Sequence, residues 1–300
     1  MKEECSSFTA LGAARSRAAH RLLDDEPKIF QDHLALGLCG INNEAILRAD
    51  IEALISKAAI RLGSELAQKM FSYPRAMMAM RSRYTEEALE QTINSGMKQY
   101  VILGAGLASF AYRRLDLVDR LQVFEVDHPS TQQWKQGRLR ELNLECPPNL
   151  TFIPLDFEKQ TLLQGLRRGG YRPEEPAYFS WLGGTQYLSE EAVFSMLNQV
   201  ASTAAKTVLT FTYIASKSQL DEENQRLLAI TQFGARAHGE PWLSFFESSQ
   251  LGLRLRDLGF TQIFDLSPEE ANARYFADRE DGLCVPSLEH VMQVQVGRVY

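Results

Sequence analysis

"YVILGAGLASF", residues 100–110, decides how the chain is read. Tyr100-Val101-Ile102-Leu103 suit a strand buried on both faces, and Gly104-Ala105-Gly106 break that run where a strand must turn into a helix. Lacking Cβ, the two glycines adopt positive φ readily and let backbone approach a ligand closely. The same residues would also serve a tight strand-to-helix turn with nothing bound, because a lone Gly-x-Gly is weak evidence.

The rhythm downstream sets the context. Short apolar runs come at 121–127, 150–156, 177–183 and 206–214, separated by helical stretches such as 131–142 and 189–202. Ser189 is placed as an N-cap, with Glu190 and Glu191 in the first turn, where acids complement the helix dipole. Strand alternating with helix predicts an α/β fold whose parallel sheet is covered on both sides. In the tail, "SPEEANARYF" reads as a capping box with Ser267 at N-cap, Pro268 at N1 and Glu270 at N3. "HVMQVQVGRVY" then alternates Val291, Val294, Val296 and Val299 with polar residues, which predicts a half-exposed edge or antiparallel strand.

Upstream the pattern is helical. "FTALGAARSRAAHRLL" and "NNEAILRADIEALISKAAIRLGSELAQKM" carry apolar residues at helical spacing, and a further helix is expected from Ser72-Tyr73-Pro74 to Gly96. No Pro/Gly/Ser-rich linker separates these helices from the first apolar run at Tyr100. Residues 1–95 are therefore expected to form a helical cap and residues 96–300 a ligand-binding core.

Composition narrows the function. Among 300 residues, 45% are hydrophobic and 23% charged, and the net charge of −6 gives no basic surface for a nucleic-acid partner. Cys5, Cys39, Cys146 and Cys284 are scattered without metal-ligand spacing, so no metal site is expected and a reducing, cytoplasmic setting is. The N-terminus lacks the apolar stretch of a signal peptide, and no membrane span is expected.

In open α/β sheets ligands sit beyond the carboxyl ends of the strands. Asp127 ends the second run and stands where a carboxylate accepts hydrogen bonds from ribose hydroxyls; Glu125 is its near competitor. Asp156 and Phe157 close the third run and suit an adenine amino group and ring, although Asp156 could equally cap a helix. A dinucleotide fingerprint needs a third glycine where this chain has Ser109, so an adenosyl ligand without pyrophosphate, such as S-adenosylmethionine, fits better than NAD.

These residues resemble a known family. "YVILGAGLASFAYR" and "VFEVDHPSTQQWK", with "SSFTALGAARSRAAH", "RSRYTEEAL", "WLGGTQYLSEEAV" and other stretches in order, are similar to the leucine carboxyl methyltransferase family, in particular its bacterial branch of S-adenosylmethionine-dependent O-methyltransferases. The resemblance implies a class I methyltransferase-like Rossmann sheet, mostly parallel with one antiparallel C-terminal strand, behind an N-terminal helical cap. It implies S-adenosylmethionine held by Gly104, Ala105, Gly106, Asp127, Asp156 and Phe157, with Arg83 meeting the cofactor's carboxylate. It further implies methyl transfer to an oxygen of a small molecule, a role of the kind found in secondary metabolism. Two departures stand out: Ala108-Ser109 replaces the family's common Asp-Thr, and Leu182-Gly183 replaces its frequent Glu-Gly, removing an acid near the reacting centre.

Methyl transfer from a sulfonium needs positioning more than a catalytic motif. Tyr187 and His128 are the candidate bases beside the site; packing and turn formation are their structural alternatives. His238 is expected to lie on the surface. The rival functions are a nicotinamide oxidoreductase, for which no hydride-transfer residue pair is visible, and a binding protein on a retired methyltransferase fold.

Overall fold

The computed structural model describes residues 8–156 and 160–297. Four helices precede the first strand: α1 (Phe8–Leu23), α2 (Ala35–Leu38), α3 (Glu44–Leu62) and α4 (Ser64–Asn94). Then come β1 (Gln99–Leu103), α5 (Phe110–Arg113), β2 (Gln122–Asp127), α6 (Pro129–Glu141), β3 (Leu150–Pro154), α7 (Leu162–Arg168), β4 (Tyr178–Trp181), α8 (Glu190–Ala201) and β5 (Val208–Ile214). The chain continues through α9 (Glu222–Ala237), α10 (Ser248–Asp257), β6 (Phe260–Leu266), α11 (Pro268–Tyr275) and β7 (Glu289–Val296).

The seven strands order as β3-β2-β1-β4-β5-β7-β6. The first five are parallel, and β7 runs antiparallel to both β5 and β6. The strand order reverses between β1 and β4, where Leu103 pairs with Trp181, so the crevice for a ligand opens at those two tips.

The apolar runs became strands because each has a helix layer on both faces. Val101, Leu103, Phe124, Val126, Phe179 and Phe211 pack with α7, α8 and α10, whereas Tyr100, Ile102, Val123 and Tyr178 pack with the second half of α4 and with α5 and α6. The expected caps are present. Ser189 accepts from Ala192 N and Ser267 with Glu270 forms the full capping box.

Two expectations need correction. The tail strand is antiparallel as expected, but it is not at an edge: β7 lies between β5 and β6, with Val291, Met292, Val294 and Val296 buried. The edge on that side is β6, whose mixed polar and apolar sequence gave no strand signal; Val299 lies outside the described residues. Helix α4 starts at Ser64 rather than at 72–74 and carries Pro74 inside it. The side chain that follows Pro74 ties this turn to the end of α1. Arg75 Nη1 donates to Phe71 O at 2.8 Å, and its Nη2 donates to Asp24 at 2.7 Å.

Among the described residues Cys39, Cys146 and Cys284 are free thiols, and no helix is long and apolar enough to cross a membrane.

Candidate active site

The glycine turn and the end of β2 form one unit. Gly104 and Gly106 have φ of 60° and 49°. Ala105 N donates to Val126 O at 3.1 Å, and Ala108 N donates back to Ala105 O at 2.8 Å, closing the turn. Gly106 N then donates to Asp127 Oδ2 at 2.5 Å, and His128 N donates to Asp127 Oδ1 at 2.6 Å. A Cβ on Gly106 would stand 3.1 Å from Ala10 Cβ, so α1 lies directly over the turn.

Loss of hydration pushes the Asp127 carboxyl above its ordinary range, and the two backbone N–H groups only partly offset this. A carboxylate has about four acceptor positions. With two taken by backbone, Asp127 retains the acceptors that a pair of ribose hydroxyls would use.

Glu125, the competing carboxylate, is in mid-strand. It pairs in register with Ile102 and Phe152, is fully buried, and is bound to Lys135, which also donates to Ala108 O at 2.6 Å. Burial raises its carboxyl and Lys135 opposes the rise. It forms a buried ion pair two residues before the end of β2. Asp156 lies two residues beyond the end of β3, and Leu155 N donates to Asp127 O at 2.9 Å, which keeps the two acidic tips side by side. Phe157 lies outside the described residues.

The two arginines of the Arg81-Ser82-Arg83 stretch face opposite ways. Arg83 points outward, with its side chain 53% exposed and bound to Glu87 one turn along the same helix. Arg81 faces inward instead. Its side chain is 10% exposed, Nη1 donates to Glu289 Oε1 at 2.9 Å, and its guanidinium stands 2.7 Å from where a Cβ on Gly183 would be. Gly183, at φ 69°, is thus the close approach that admits a cation to the β4 tip. From sequence, Arg-Ser-Arg could not be resolved, because the inward face of α4 is set by packing.

The turn after β4 is fixed on both sides. Gly183 N donates to Thr212 Oγ1 and Thr185 Oγ1 to Thr212 O, each at 2.7 Å, while Ser244 Oγ donates to Thr185 O at 2.9 Å and Leu243 N to Gln186 O at 2.6 Å. Tyr187 ends this turn. Burial pushes its phenol up from the usual value, and the neighbouring Trp242, Gln186 and Arg81 pull it back.

His128 is occupied as the N-cap of α6: Nδ1 accepts from Ser130 N at 3.3 Å and meets Ser130 Oγ at 2.8 Å. Its Nδ1 is thus engaged in capping α6. His238 is exposed and stacks on Phe8 at 3.7 Å between ring centroids.

A hub that the sequence did not reveal joins the helices to the glycine turn. Asp32 accepts from Arg17 Nε at 2.9 Å, from Ser109 Oγ at 2.7 Å and from Leu34 N and Ala35 N, each at 3.1 Å. Arg17 also reaches Leu107 O at 2.7 Å, and Arg113 donates to Ser109 Oγ at 2.8 Å. The residue standing in place of a third glycine is thus a hydroxyl that secures the helices. Among the described residues no cluster of His, Cys, Asp or Glu could hold a metal ion.

The leucine carboxyl methyltransferase family profile matches residues 10–201. YktD of Bacillus subtilis, named for S-adenosyl-L-methionine-dependent methyltransferase activity, is 31% identical over 94% of this chain and 95% of its own. A Mycobacterium tuberculosis protein with the same description is 26% identical over 74% of this chain and 69% of its own. Among solved structures, a Thermobifida fusca protein described as a methyltransferase superposes with a TM-score of 0.55 at 16% identity, covering 99% of this chain and 97% of that one. A duf574 family protein from Streptomyces avermitilis superposes at 0.57 with 12% identity, covering 82% and 97%. The first relative and the family profile, which together cover the glycine turn, Asp127 and the turn after β4, show that this chain belongs to the leucine carboxyl methyltransferase family.

Proposed function

We propose that the chain is an S-adenosyl-L-methionine-dependent O-methyltransferase acting on a carboxylate or hydroxyl oxygen of a small molecule. The observation that carries this reading is the Gly106–Asp127 couple at the switch point of the sheet, with acceptor positions left over on the carboxylate. Family membership supports the methyltransferase class and favours neither the nicotinamide nor the retired-fold alternative.

When bound, the cofactor supplies a methyl group already activated on a sulfonium. The protein's own residues then place and shield it. Asp127 holds the ribose hydroxyls, Asp156 the adenine side, and Arg81 takes the cationic position that the resemblance put on Arg83. Helices α1 to α4 act as the cap, with α1 over the glycine turn excluding water from an acceptor held about 3 Å from the methyl carbon. A cytoplasmic setting belongs to this reading, supported by the free thiols.

The test is incubation of the enzyme with methyl-labelled S-adenosylmethionine and a bacterial metabolite extract. One labelled methyl group on an extract component, removed by mild base if an ester and retained if an ether, is the expected result. No transfer to any component would overturn the proposal.

A further inference from the structure

Two segments more than 200 residues apart in the chain meet beside the glycine turn. One is the first turn of α1, which sets Ala10 against Gly106. The other is the connection between α9 and α10. Phe8 stacks on His238 with 3.7 Å between ring centroids and 10° between planes, and Thr9 N donates to Glu240 Oε2 at 3.2 Å. The first N–H groups of a helix have no intrahelical partners, and α1 carries no acid in its own first turn. Glu240 therefore supplies an acceptor and the negative charge that this end of a helix favours.

Both receiving groups are fixed from behind by the last turn of α9. His238 Nδ1 donates to Gly234 O at 2.8 Å, Gly239 turns the chain at φ 80°, and Glu240 N donates to Ala235 O at 3.0 Å. The connection then reaches the turn after β4, where Leu243 N binds Gln186 O and Ser244 Oγ binds Thr185 O. A bridge thus runs from the glycine turn through Ala10, Phe8, His238 and Glu240 to the tip of β4, across the point where the strand order reverses.

The seam of this bridge is where α1 meets the end of α9. On one side of it, Arg17 anchors α1 to Asp32 and Leu107 O; on the other, Leu243 and Ser244 anchor the connection. The seam itself is superficial, with Phe8 52% exposed and His238 exposed. Helix ends and surface contacts open at the lowest cost in a fold, and this one stands over Gly106, whose N–H holds Asp127. We propose that the first turn of α1 is a gate to the cofactor site, latched shut by Phe8 on His238 and by Thr9 N–H on Glu240. Parting of the latch lifts Ala10 from Gly106, admits S-adenosylmethionine and releases S-adenosylhomocysteine. This rests on the S-adenosylmethionine reading above. A latch that holds the empty and the loaded protein shut equally slows entry and exit by the same factor and leaves affinity unchanged.

The test follows S-adenosylhomocysteine exchange with the whole protein by stopped-flow tryptophan fluorescence, with affinity from calorimetry. Phe8→Ala and Glu240→Gln should each raise the association and dissociation rate constants together by about three- to tenfold, the equivalent of one stacked ring pair or one hydrogen bond. The dissociation constant should stay within about twofold, well inside that range. A disulfide between Phe8→Cys and His238→Cys should slow both rates until it is reduced, with the unmodified protein under the same oxidation as the control for its own thiols. Unchanged rates in both single variants, exchange indifferent to the disulfide, or faster dissociation with unaltered association, the mark of a lost ligand contact, would each overturn the gate. An unmodified protein that binds no S-adenosylhomocysteine would overturn the S-adenosylmethionine reading and the gate with it.

Discussion

Two carboxylates flank the glycine turn and face opposite fates. Asp32, from the helical region, is 1% exposed and held by two guanidinium groups, a serine hydroxyl and two backbone N–H groups. Burial works to raise its carboxyl, but Arg17 and Arg113 with their hydrogen-bonding neighbours outweigh it, and the group sits below its ordinary value. Asp127, at the end of β2, is bonded only by backbone N–H groups among the described residues, and its carboxyl sits above its ordinary value. The difference teaches how to separate structure from site. A carboxylate whose needs are met within the chain is a fastener, and one left under-satisfied at a strand tip is waiting for a ligand.

The contrast is tested most forcefully at the fastener. Asp32→Ala removes one partner of a buried ion-pair cluster and leaves Arg17 and Arg113 uncompensated, so urea unfolding should show a loss of about 3–5 kcal/mol. A loss under about 1 kcal/mol would mean the hub does not hold the helices to the core. At Tyr187 the expected effect is smaller. With its phenol kept neutral by burial, Tyr187→Phe should reduce kcat by less than about tenfold. A drop beyond about 100-fold with the cofactor still bound would make the phenol a catalytic group.

Acidification should separate the two carboxylates in order. Asp127, with a raised folded value, takes up its proton first, above the ordinary 3.8; this relieves the cost of its charge in the cofactor-free protein while weakening cofactor binding. Asp32, with a lowered folded value, keeps its full contribution above 3.8 and loses it only as pH falls through its own lower value. Cofactor affinity measured by calorimetry should therefore fall at a higher pH than resistance of α1 to proteolysis; the reverse order would reject the assignment. The smallest effect is expected at Arg83. Exposed and paired within its own helix, it should change stability by less than about 0.5 kcal/mol when replaced by alanine, and cofactor affinity by less than about twofold.

Local structure was legible in sequence wherever backbone geometry dictates residue type. Gly104 and Gly106 announce positive φ, Asp127 ends an apolar run, and the Ser267 and Glu270 capping box needs only local spacing. Whatever depends on the meeting of distant segments stayed hidden. Arg81 and Arg83 are two residues apart on one helix, and only the packing of α4 against Gly183 selects between them. Glu289 opens a stretch that reads as a half-exposed tail, and nothing local says that β7 will insert beside β5 and carry an acid to the tips of the parallel strands. The surroundings of Glu125 were hidden for the same reason: its partner Lys135 sits on the next helix, and burial of the pair is a tertiary fact. The edge strand β6 lacked any apolar rhythm because one bulge, at Gln262 with φ 47°, interrupts its pairing.

The proposed function requires that Asp127, and not the neighbouring acid Glu125, hold the cofactor's ribose. Calorimetric titration of S-adenosylmethionine into the unmodified protein and into Asp127→Ala tests this most directly. One binding site is expected in the first case and a loss of about 1.5–3 kcal/mol in the second, roughly 10- to 150-fold in affinity. Equal affinity in the two proteins would contradict the ribose assignment.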